Sequence, residues 1–204
     1  MKNNIFIFLV SFGFITNSFA QENAQNNQKK KDNYFYVGPL DLFLNTLQMG
    51  YERKLKNHNT IALIGGFKLS KKDEIINRLG GTGEFQYRVN LLYNKEALSS
   101  VVKKYSTFAY FAPYLQYRYE EITDRVPTDI SISEKEITIV NSGFAGLGFG
   151  FRLTALENRF CLNVYAGGGL KYSDVSGNKK YADFTEVGYT GIAPKLSFQI
   201  GIAF

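Results

Sequence analysis

Hydrophobic and polar residues alternate along most of this chain, and the C-terminal segment shows the alternation most clearly. One set of positions is apolar, and the positions between them are small or polar. A period of two places the two sets on opposite faces of a β-strand. The apolar face carries Ile192, Pro194, Leu196, Phe198, Ile200, Ile202 and Phe204, and the other face carries Gly191, Ala193, Lys195, Ser197, Gln199, Gly201 and Ala203.

The same alternation recurs upstream and predicts seven further strands. Five segments show it clearly, whereas Phe35 to Leu44 and Thr46 to Leu55 are noisier but compatible. Eight is an even number, which a closed antiparallel barrel with both termini on one side requires. We therefore predict an all-β fold, a closed antiparallel eight-stranded up-and-down transmembrane β-barrel. The clear segments cover residues 60–69, 84–93, 109–120, 137–153 and 160–172.

The connecting segments support a barrel with two unlike ends. Short turns at 56–58 and 155–158 fall on the side of the termini, and long polar connectors at 70–81, 124–136 and 176–186 fall on the other. Short periplasmic turns and longer outer loops are typical of outer-membrane barrels. Two connectors fit less well, because 94–106 is long and its pattern suggests a brief helix, while the first hairpin turns near 45–46.

Three prolines stand inside predicted strands, where each removes a hydrogen-bond donor from the ladder. These are Pro39, Pro113 and Pro194. We expect local β-bulges at these positions, because bulges re-aim strands in barrels.

The N-terminus has the features of an export signal. Lys2 precedes an apolar run over 5–15, and the small residues Ser18 and Ala20 follow. This pattern predicts a signal peptide over 1–20, cleaved before Gln21. The run is short for a membrane-spanning helix, and no stretch elsewhere reaches the required length. Residues 21–33 are rich in Asn, Gln and Lys and are predicted to form a flexible leader, so the barrel domain is predicted over 34–204.

Periodicity does not say which face points outward. The rival to a membrane barrel is a soluble periplasmic ligand carrier of the lipocalin type, with the aromatic face inside. The interior of an eight-stranded barrel is just wide enough to be filled by side chains, which suits the glycine-rich face better. Charged residues, Lys54 among them, fall on that same face, and we predict that nine of them form an interior ionic network: Glu52, Lys68, Glu84, Arg88, Arg118, Glu120, Arg152, Lys171 and Lys195.

The final strand resembles that of small eight-stranded bacterial outer-membrane barrels. In that class the last strand ends in Phe after alternating apolar residues, as Phe198, Ile200, Ile202 and Phe204 do here. The hexapeptide GYERKL at 50–55 is similar to a segment of an uncharacterised family of such barrels, a domain of unknown function. The resemblance implies a bacterial outer-membrane location, outer-membrane lipid around the barrel, and recognition of the last strand by the barrel-assembly machinery. It implies no activity.

Composition and candidate chemistry narrow the functional classes. The net charge of +6 is spread along the chain and mixed with acidic residues, which argues against nucleic acid as a partner. A single cysteine, Cys161, allows no internal disulfide. One histidine, His58, and one cysteine do not furnish a metal site of the His/Cys type. We predict no catalytic residues, metal or cofactor.

Two functional classes remain at this point, with enzymatic action a distant third. The first is a non-enzymatic structural or surface-interaction barrel whose outer loops contact partners. The basic residues Lys71, Lys72 and Arg78 would suit anionic partners. The second is a narrow channel or small-ligand transporter, and the soluble lipocalin-like carrier also stays open.

Overall fold

The computed structural model of the chain describes most of the predicted barrel domain. The predicted signal peptide, the leader up to residue 31 and the turn that holds His58 lie outside the described residues. The predicted brief helix between residues 94 and 106 also falls there. Described are residues 32–43, 45–55, 59–68, 76–94, 106–126, 134–155, 159–176, 183 and 185–204.

The described residues form eight antiparallel strands, each paired with its neighbours in chain order, and the first strand pairs with the last. This confirms the predicted closed up-and-down barrel. Its first strand begins one residue before the predicted start of the domain. The strands are β1 (Asn33–Gly38), β2 (Thr46–Lys54), β3 (Thr60–Lys68), β4 (Ile76–Asn94), β5 (Ser106–Val126), β6 (Glu134–Ala155), β7 (Phe160–Val175) and β8 (Gly191–Ala203).

The first predicted strand is wrong in its second half. The chain leaves β1 after Gly38 and forms a short helix, α1 (Pro39–Phe43). Proline suits the first position of a helix, because its N–H would have no intrahelical partner there and its φ angle is already helical. Asn45 then takes a left-handed conformation, with a φ of 55°. The first hairpin is therefore joined by a helical connection and not by the tight turn predicted near 45–46.

The predicted bulges at the prolines are also wrong. Pro39 begins α1, and Pro194 lies in register opposite Gly168. At Pro113 the β4–β5 ladder is interrupted between Gln86↔Tyr114 and Val89↔Phe111, but it resumes in the same register. A local gap in the ladder thus accommodates the missing N–H. Among the described pairs of β4 and β5, the register shifts between Asn90 and Leu92.

Two outer connectors are shorter than predicted, because the strands continue into them. β4 begins at Ile76, and the β5–β6 ladder runs up to Val126↔Glu134. These extensions pass beyond the ends of the ladders with β3 and β7, at Lys68↔Gly80 and Val140↔Val175. The polar sequence there is typical of a loop, yet β4, β5 and β6 extend beyond the rest of the sheet on one side of the barrel. We call this extension the outer wall.

The seam that closes the barrel is much shorter than the other ladders. β1 and β8 pair only from Val37↔Ile200 to Tyr34↔Ala203, whereas β8 pairs with β7 along nearly its whole length. α1 lies beside this seam and contacts both β2 and β8. Part of the circumference of the barrel between β8 and β2 is therefore formed by α1.

Candidate functional site: the barrel interior

The interior of the barrel is filled by polar and charged side chains that come from every part of the sheet. Alternation places them there, since all except Thr123 lie on the inward face of their strand. The buried polar residues are Glu52, Thr60, Glu84, Gln86, Arg88, Glu120, Thr123, Thr138, Ser142, Arg152, Thr154, Asn163 and Gln199.

A carboxylate shared by two arginines lies in this interior, toward the end of the barrel that holds the termini. Glu52 Oε2 accepts a hydrogen bond from Arg88 Nη1 at 2.5 Å, and Glu52 Oε1 accepts one from Arg152 Nη2. The three side chains come from β2, β4 and β6 and are all buried. Removal of three charges from water is tolerated only when the charges are closely paired. This triad joins non-adjacent strands across the barrel.

Tyrosine rings surround the two arginines. The Arg88 guanidinium carbon lies 4.9 Å from the centre of the Tyr110 ring, and that of Arg152 lies 4.7 Å from the Tyr34 ring. Tyr36 is within 6.0 Å of both. Because the triad has two cations and one anion, it carries a net positive charge. The negative faces of the rings offset part of this excess.

A chain of amides continues from the triad. Gln86 accepts a hydrogen bond from Arg88 Nε at 2.7 Å and donates one to Glu84 at 2.6 Å. On the opposite side, Tyr110 donates to Asn163 at 2.8 Å, and Asn163 donates to Gln199 at 2.9 Å. Hydrogen bonds satisfy these buried groups, which would otherwise be costly to bury.

A second ion pair lies beside α1. Lys195 Nζ donates to Glu84 Oε2 and, at 3.1 Å, to Gln116 Oε1, and it lies 4.5 Å from the centre of the Tyr114 ring. Asp41 of α1 is half-buried, and its carboxylate interacts with the charges of Lys195 and Glu84.

Nearer the end of the barrel opposite the termini, the interior holds a third ion pair and contacts residues 186–187 of the connection before β8. Lys68 Nζ donates to Glu120 Oε1 at 2.6 Å. Lys171 Nζ donates to the backbone carbonyl oxygen of Val187 at 2.6 Å and to that of Glu186 at 3.2 Å. Val187 is buried against two residues of the wall, Ile122 and Val140. The connection before β8 therefore folds over the mouth and is anchored there.

Of the nine interior charged residues predicted to form one network, the structure brings seven into three separate ion-paired groups. These are Glu52 with Arg88 and Arg152, Glu84 with Lys195, and Lys68 with Glu120. Lys171 donates to backbone carbonyls, and Arg118 is half-buried on the same face. Cys161 is a buried free thiol.

The sequence interpretation missed most of the aromatic part of the interior. Tyr34, Tyr36, Tyr110 and Tyr114 are all buried inside. The alternation of inward and outward residues along β5 would have predicted that Tyr110 and Tyr114 face the interior. In the predicted assembly signal, Ile200, Ile202 and Phe204 are exposed on the outer face and Phe198 is half-buried. Recognition of that signal stays a prediction.

We expect Gly150→Ala to destabilise the barrel by about 1–3 kcal/mol, because it overpacks the interior. A Cβ at Gly150 would overlap the ring of Tyr110, which is held by Asn163 and Arg88. Gly143→Ala is the matched control in the same strand, since a Cβ there meets nothing within 4 Å. Urea unfolding of both variants in lipid vesicles measures the effect. Equal stabilities would show that the interior is loosely packed.

Among the described residues, no group of three or more His, Cys, Asp or Glu is placed to hold a metal ion. No described helix is long and apolar enough to cross a membrane.

No family model matches this chain, and no curated protein matches it. Among solved structures, the chain is similar to the crystal structure of CarO from Acinetobacter baumannii. The match has a TM-score of 0.40 and 10% sequence identity, and it covers 88% of this chain and 100% of that one. The resemblance of GYERKL to an uncharacterised barrel family therefore stays a prediction. The eight-stranded barrel is established by the strand pairing of the chain itself.

Proposed function

We propose that this chain is a bacterial outer-membrane β-barrel with a filled interior and a structural or surface-interaction role. One observation carries the proposal. The large exposed hydrophobic side chains lie on the outside of the barrel, whereas the buried centre is polar and charged. A soluble protein has the opposite arrangement, because exposed apolar area is unfavourable in water. The same arrangement argues against a soluble carrier of the lipocalin type.

The exposed apolar residues are distributed around the barrel and not confined to one patch. They occur on each strand from β2 to β8, which differs from the local patch that a protein partner would cover. On the strands these residues are Met49, Leu63, Phe67, Leu79, Phe85, Leu91, Leu115, Tyr117, Tyr119, Ile137, Leu147, Phe149, Phe151, Phe160, Val164, Leu170, Tyr172, Ile192, Leu196, Ile200 and Ile202, and Phe204 follows β8.

The length of the apolar run also suits a bilayer. On β7 the outward positions run from Phe160 to Tyr172, with Leu162, Val164, Ala166, Gly168 and Leu170 between these two aromatic residues. A strand of this length covers about 40 Å, which at a tilt of about 40° gives roughly 30 Å of height, enough for an apolar band of about 25 Å. Aromatic residues at both ends of such a band are typical of outer-membrane barrels.

The location is tested by membrane fractionation together with heat-modifiable gel migration. We expect the protein in the outer-membrane fraction, with an unheated sample migrating differently from a boiled one because the closed barrel resists detergent. A soluble protein whose migration does not change on heating would contradict the proposal.

We further expect no steady current through the purified protein in planar bilayers. The triad, its tyrosines and the amide layer occupy part of the interior, and eight strands leave space only for side chains. The comparison variant is Arg88→Ala with Tyr110→Ala, which removes two large side chains from that layer. Stable single-channel steps from the unaltered protein would instead support the narrow channel or small-ligand transporter.

The proposed role includes no catalysis. The interior carboxylates that could transfer protons are each ion-paired, as Glu52, Glu84 and Glu120 show. Paired carboxylates of this kind are usually structural. We propose that outer-membrane lipid surrounds the apolar face of the barrel and that a surface ligand is contacted at the outer wall of β4 to β6. We further propose that the assembly machinery reads β8 during insertion.

A further inference from the structure

Positive charge is in excess inside the barrel at the end opposite the termini. The interior carboxylates of this half each have a cation already, since Glu84 is paired with Lys195 and Glu120 with Lys68. Two further cations, Arg118 and Lys171, lie on the inward faces of β5 and β7. Among the described residues, neither of them forms an ion pair with a carboxylate.

Arg118 also forms no hydrogen bond with any described residue. Directly opposite it on the inner face are Thr82 of β4 and Ser142 of β6. Thr82 accepts a hydrogen bond from Gln116 at 2.9 Å, and the hydroxyl groups of Ser142 and Ser173 bond to each other at 2.8 Å. The arginine side chain is half-buried. A guanidinium group carries several N–H donors, so one without an acceptor in a partly buried place indicates a missing partner.

Lys171 is held in position by backbone carbonyl groups. Its Nζ donates to the carbonyl oxygen of Val187 at 2.6 Å and to that of Glu186 at 3.2 Å. An ammonium group has a third N–H donor, and carbonyl groups do not neutralise its charge. Lys171 therefore presents a fixed positive charge with a donor to spare.

The register of the sheet brings these two cations to the same part of the interior. Arg118 pairs with Ser142 of β6, and Lys171 pairs with Phe144, the next inward residue of β6. With strands about 4.8 Å apart, the two residues lie roughly 10 Å apart across the sheet and one inward position apart along it. Their side chains are close enough for the two positive charges to interact. Like charges repel, and an anion between them removes this repulsion.

The other described acids near these cations do not neutralise them. Asp183 and Glu186 are exposed and accept hydrogen bonds within their own connection, Asp183 from Thr185 and Glu186 from the backbone N–H of Asp183. Asp41 of α1 interacts with the charge of Arg118 but forms no ion pair with it. Within the described part of the chain, the two cations thus lack a counter-charge of their own.

We propose that Arg118 and Lys171 bind a phosphate group of a soluble ligand inside this end of the barrel. The guanidinium group of Arg118 matches two phosphate oxygens with two parallel N–H donors, and the ammonium group of Lys171 adds a point charge. A phosphate monoester carries about 1.5 to 2 negative charges at neutral pH, which matches two cations better than a carboxylate does.

The ligand reaches this site from water and not from the bilayer. The ladders from β4 to β7 are continuous on both sides of Arg118, so paired strands separate it from lipid. Both cations are only half-buried and therefore stay accessible to solvent from inside the barrel. The inference goes beyond the proposed role of the barrel, because it assigns a ligand class to the interior.

The test uses purified full-length protein in non-ionic detergent micelles at low salt, titrated with inorganic phosphate in a calorimeter. We expect one saturable site. Arg118→Gln should weaken phosphate binding about tenfold or more, the effect of losing a charge-assisted hydrogen bond, and Lys171→Gln should weaken it as well. Asp41→Asn should strengthen it, because a carboxylate that interacts with Arg118 competes with phosphate.

Arg53→Gln is the matched control. Arg53 is an exposed arginine that follows the inward Glu52 on β2, so it lies on the outward face near the end that holds the termini. Its substitution should leave the affinity for phosphate unchanged. Arg118→Gln removes no hydrogen bond or ion pair between described residues, so it should leave the thermal stability of the barrel unchanged.

A second titration distinguishes a soluble ligand from a lipid, since a lipid head group presents the same phosphate chemistry. Phosphatidic acid is added to the micelles before inorganic phosphate. We expect the affinity for inorganic phosphate to stay the same, because the site faces the inside of the barrel. Competition by phosphatidic acid would overturn the assignment to a soluble ligand.

Two further results would overturn the inference. One is an absence of saturable binding, and the other is equal affinity of the Arg118→Gln and Arg53→Gln variants, which would show a general attraction of phosphate to a basic protein. Because the binding is measured on purified protein in micelles, a failure here leaves the outer-membrane location standing. Failure of the fractionation test would, conversely, leave a measured binding site in place.

Discussion

Glu52→Gln is expected to lower the free energy of unfolding by about 3–5 kcal/mol, the usual effect of removing one partner from a buried ion pair. Glu52 is fully buried and is the carboxylate that contacts both Arg88 and Arg152. Glutamine keeps the size of the side chain but leaves two buried arginines without a counter-charge. The measurement is urea unfolding of the barrel in lipid vesicles, followed by gel migration without heating.

The control for this variant is Glu121→Gln, which changes the same type of residue at a half-exposed position of β5. Its effect should stay within about 0.5 kcal/mol, as for most surface substitutions. If Glu52→Gln were equally mild, the tyrosine rings and amides alone would be holding the arginines. The triad would then be incidental to the stability of the barrel.

Leu147→Arg is expected to destabilise the inserted barrel by about 2–4 kcal/mol, because it places a charge in the middle of the lipid-facing surface. Leu147 is 54% exposed on β6, between outward-facing residues that are also apolar. In a water-soluble barrel the same substitution would replace an exposed leucine by a solvated cation and would have little effect. The folding equilibrium in vesicles of defined thickness therefore discriminates between the two environments.

Ile137→Arg is the matched control, since Ile137 is also exposed on β6 but lies in the wall beyond the β6–β7 ladder. Near the edge of the bilayer or outside it, the cost of a charge falls to about 0–1 kcal/mol. A difference of at least 1 kcal/mol between the two variants is expected. Equal effects would be incompatible with a membrane boundary between these positions.

The sheet could be predicted from the sequence because the two faces of each strand meet very different surroundings. On β8 an apolar residue stands at every second position, and the structure places that set outside and its alternates inside. The same physical contrast predicted which face holds the charges. Strand ends were predicted less well, because polar residues of the outer wall such as Asn77 and Asp124 continue the strands beyond the ladder with β3, without the apolar alternation that marks the rest of the sheet.

The region around Pro39 shows why alternation fails where an element is short. Leu40 and Leu42 stand two residues apart and fit a strand, yet they belong to the five residues of α1. A helix of this length gives no periodic signal of its own. The preference of proline for the first position of a helix is a local signal that would have predicted a helix beginning at Pro39.

The partners inside the barrel could not be predicted from strand periodicity. Alternation assigns Glu52 to the inner face, but its two arginines lie 36 and 100 residues away on strands that are not its neighbours. Which charges meet depends on the register of the strands around the closed barrel.

The central claim is that the apolar face meets lipid and the polar face fills the interior. The chain contains no tryptophan, so one introduced tryptophan reports a single position. Val164 and Tyr165 are adjacent on β7 and face opposite sides. In vesicles of lipids brominated along their acyl chains, Val164→Trp should be strongly quenched and Tyr165→Trp only weakly. Strong quenching at position 165 with little at 164 would contradict the account.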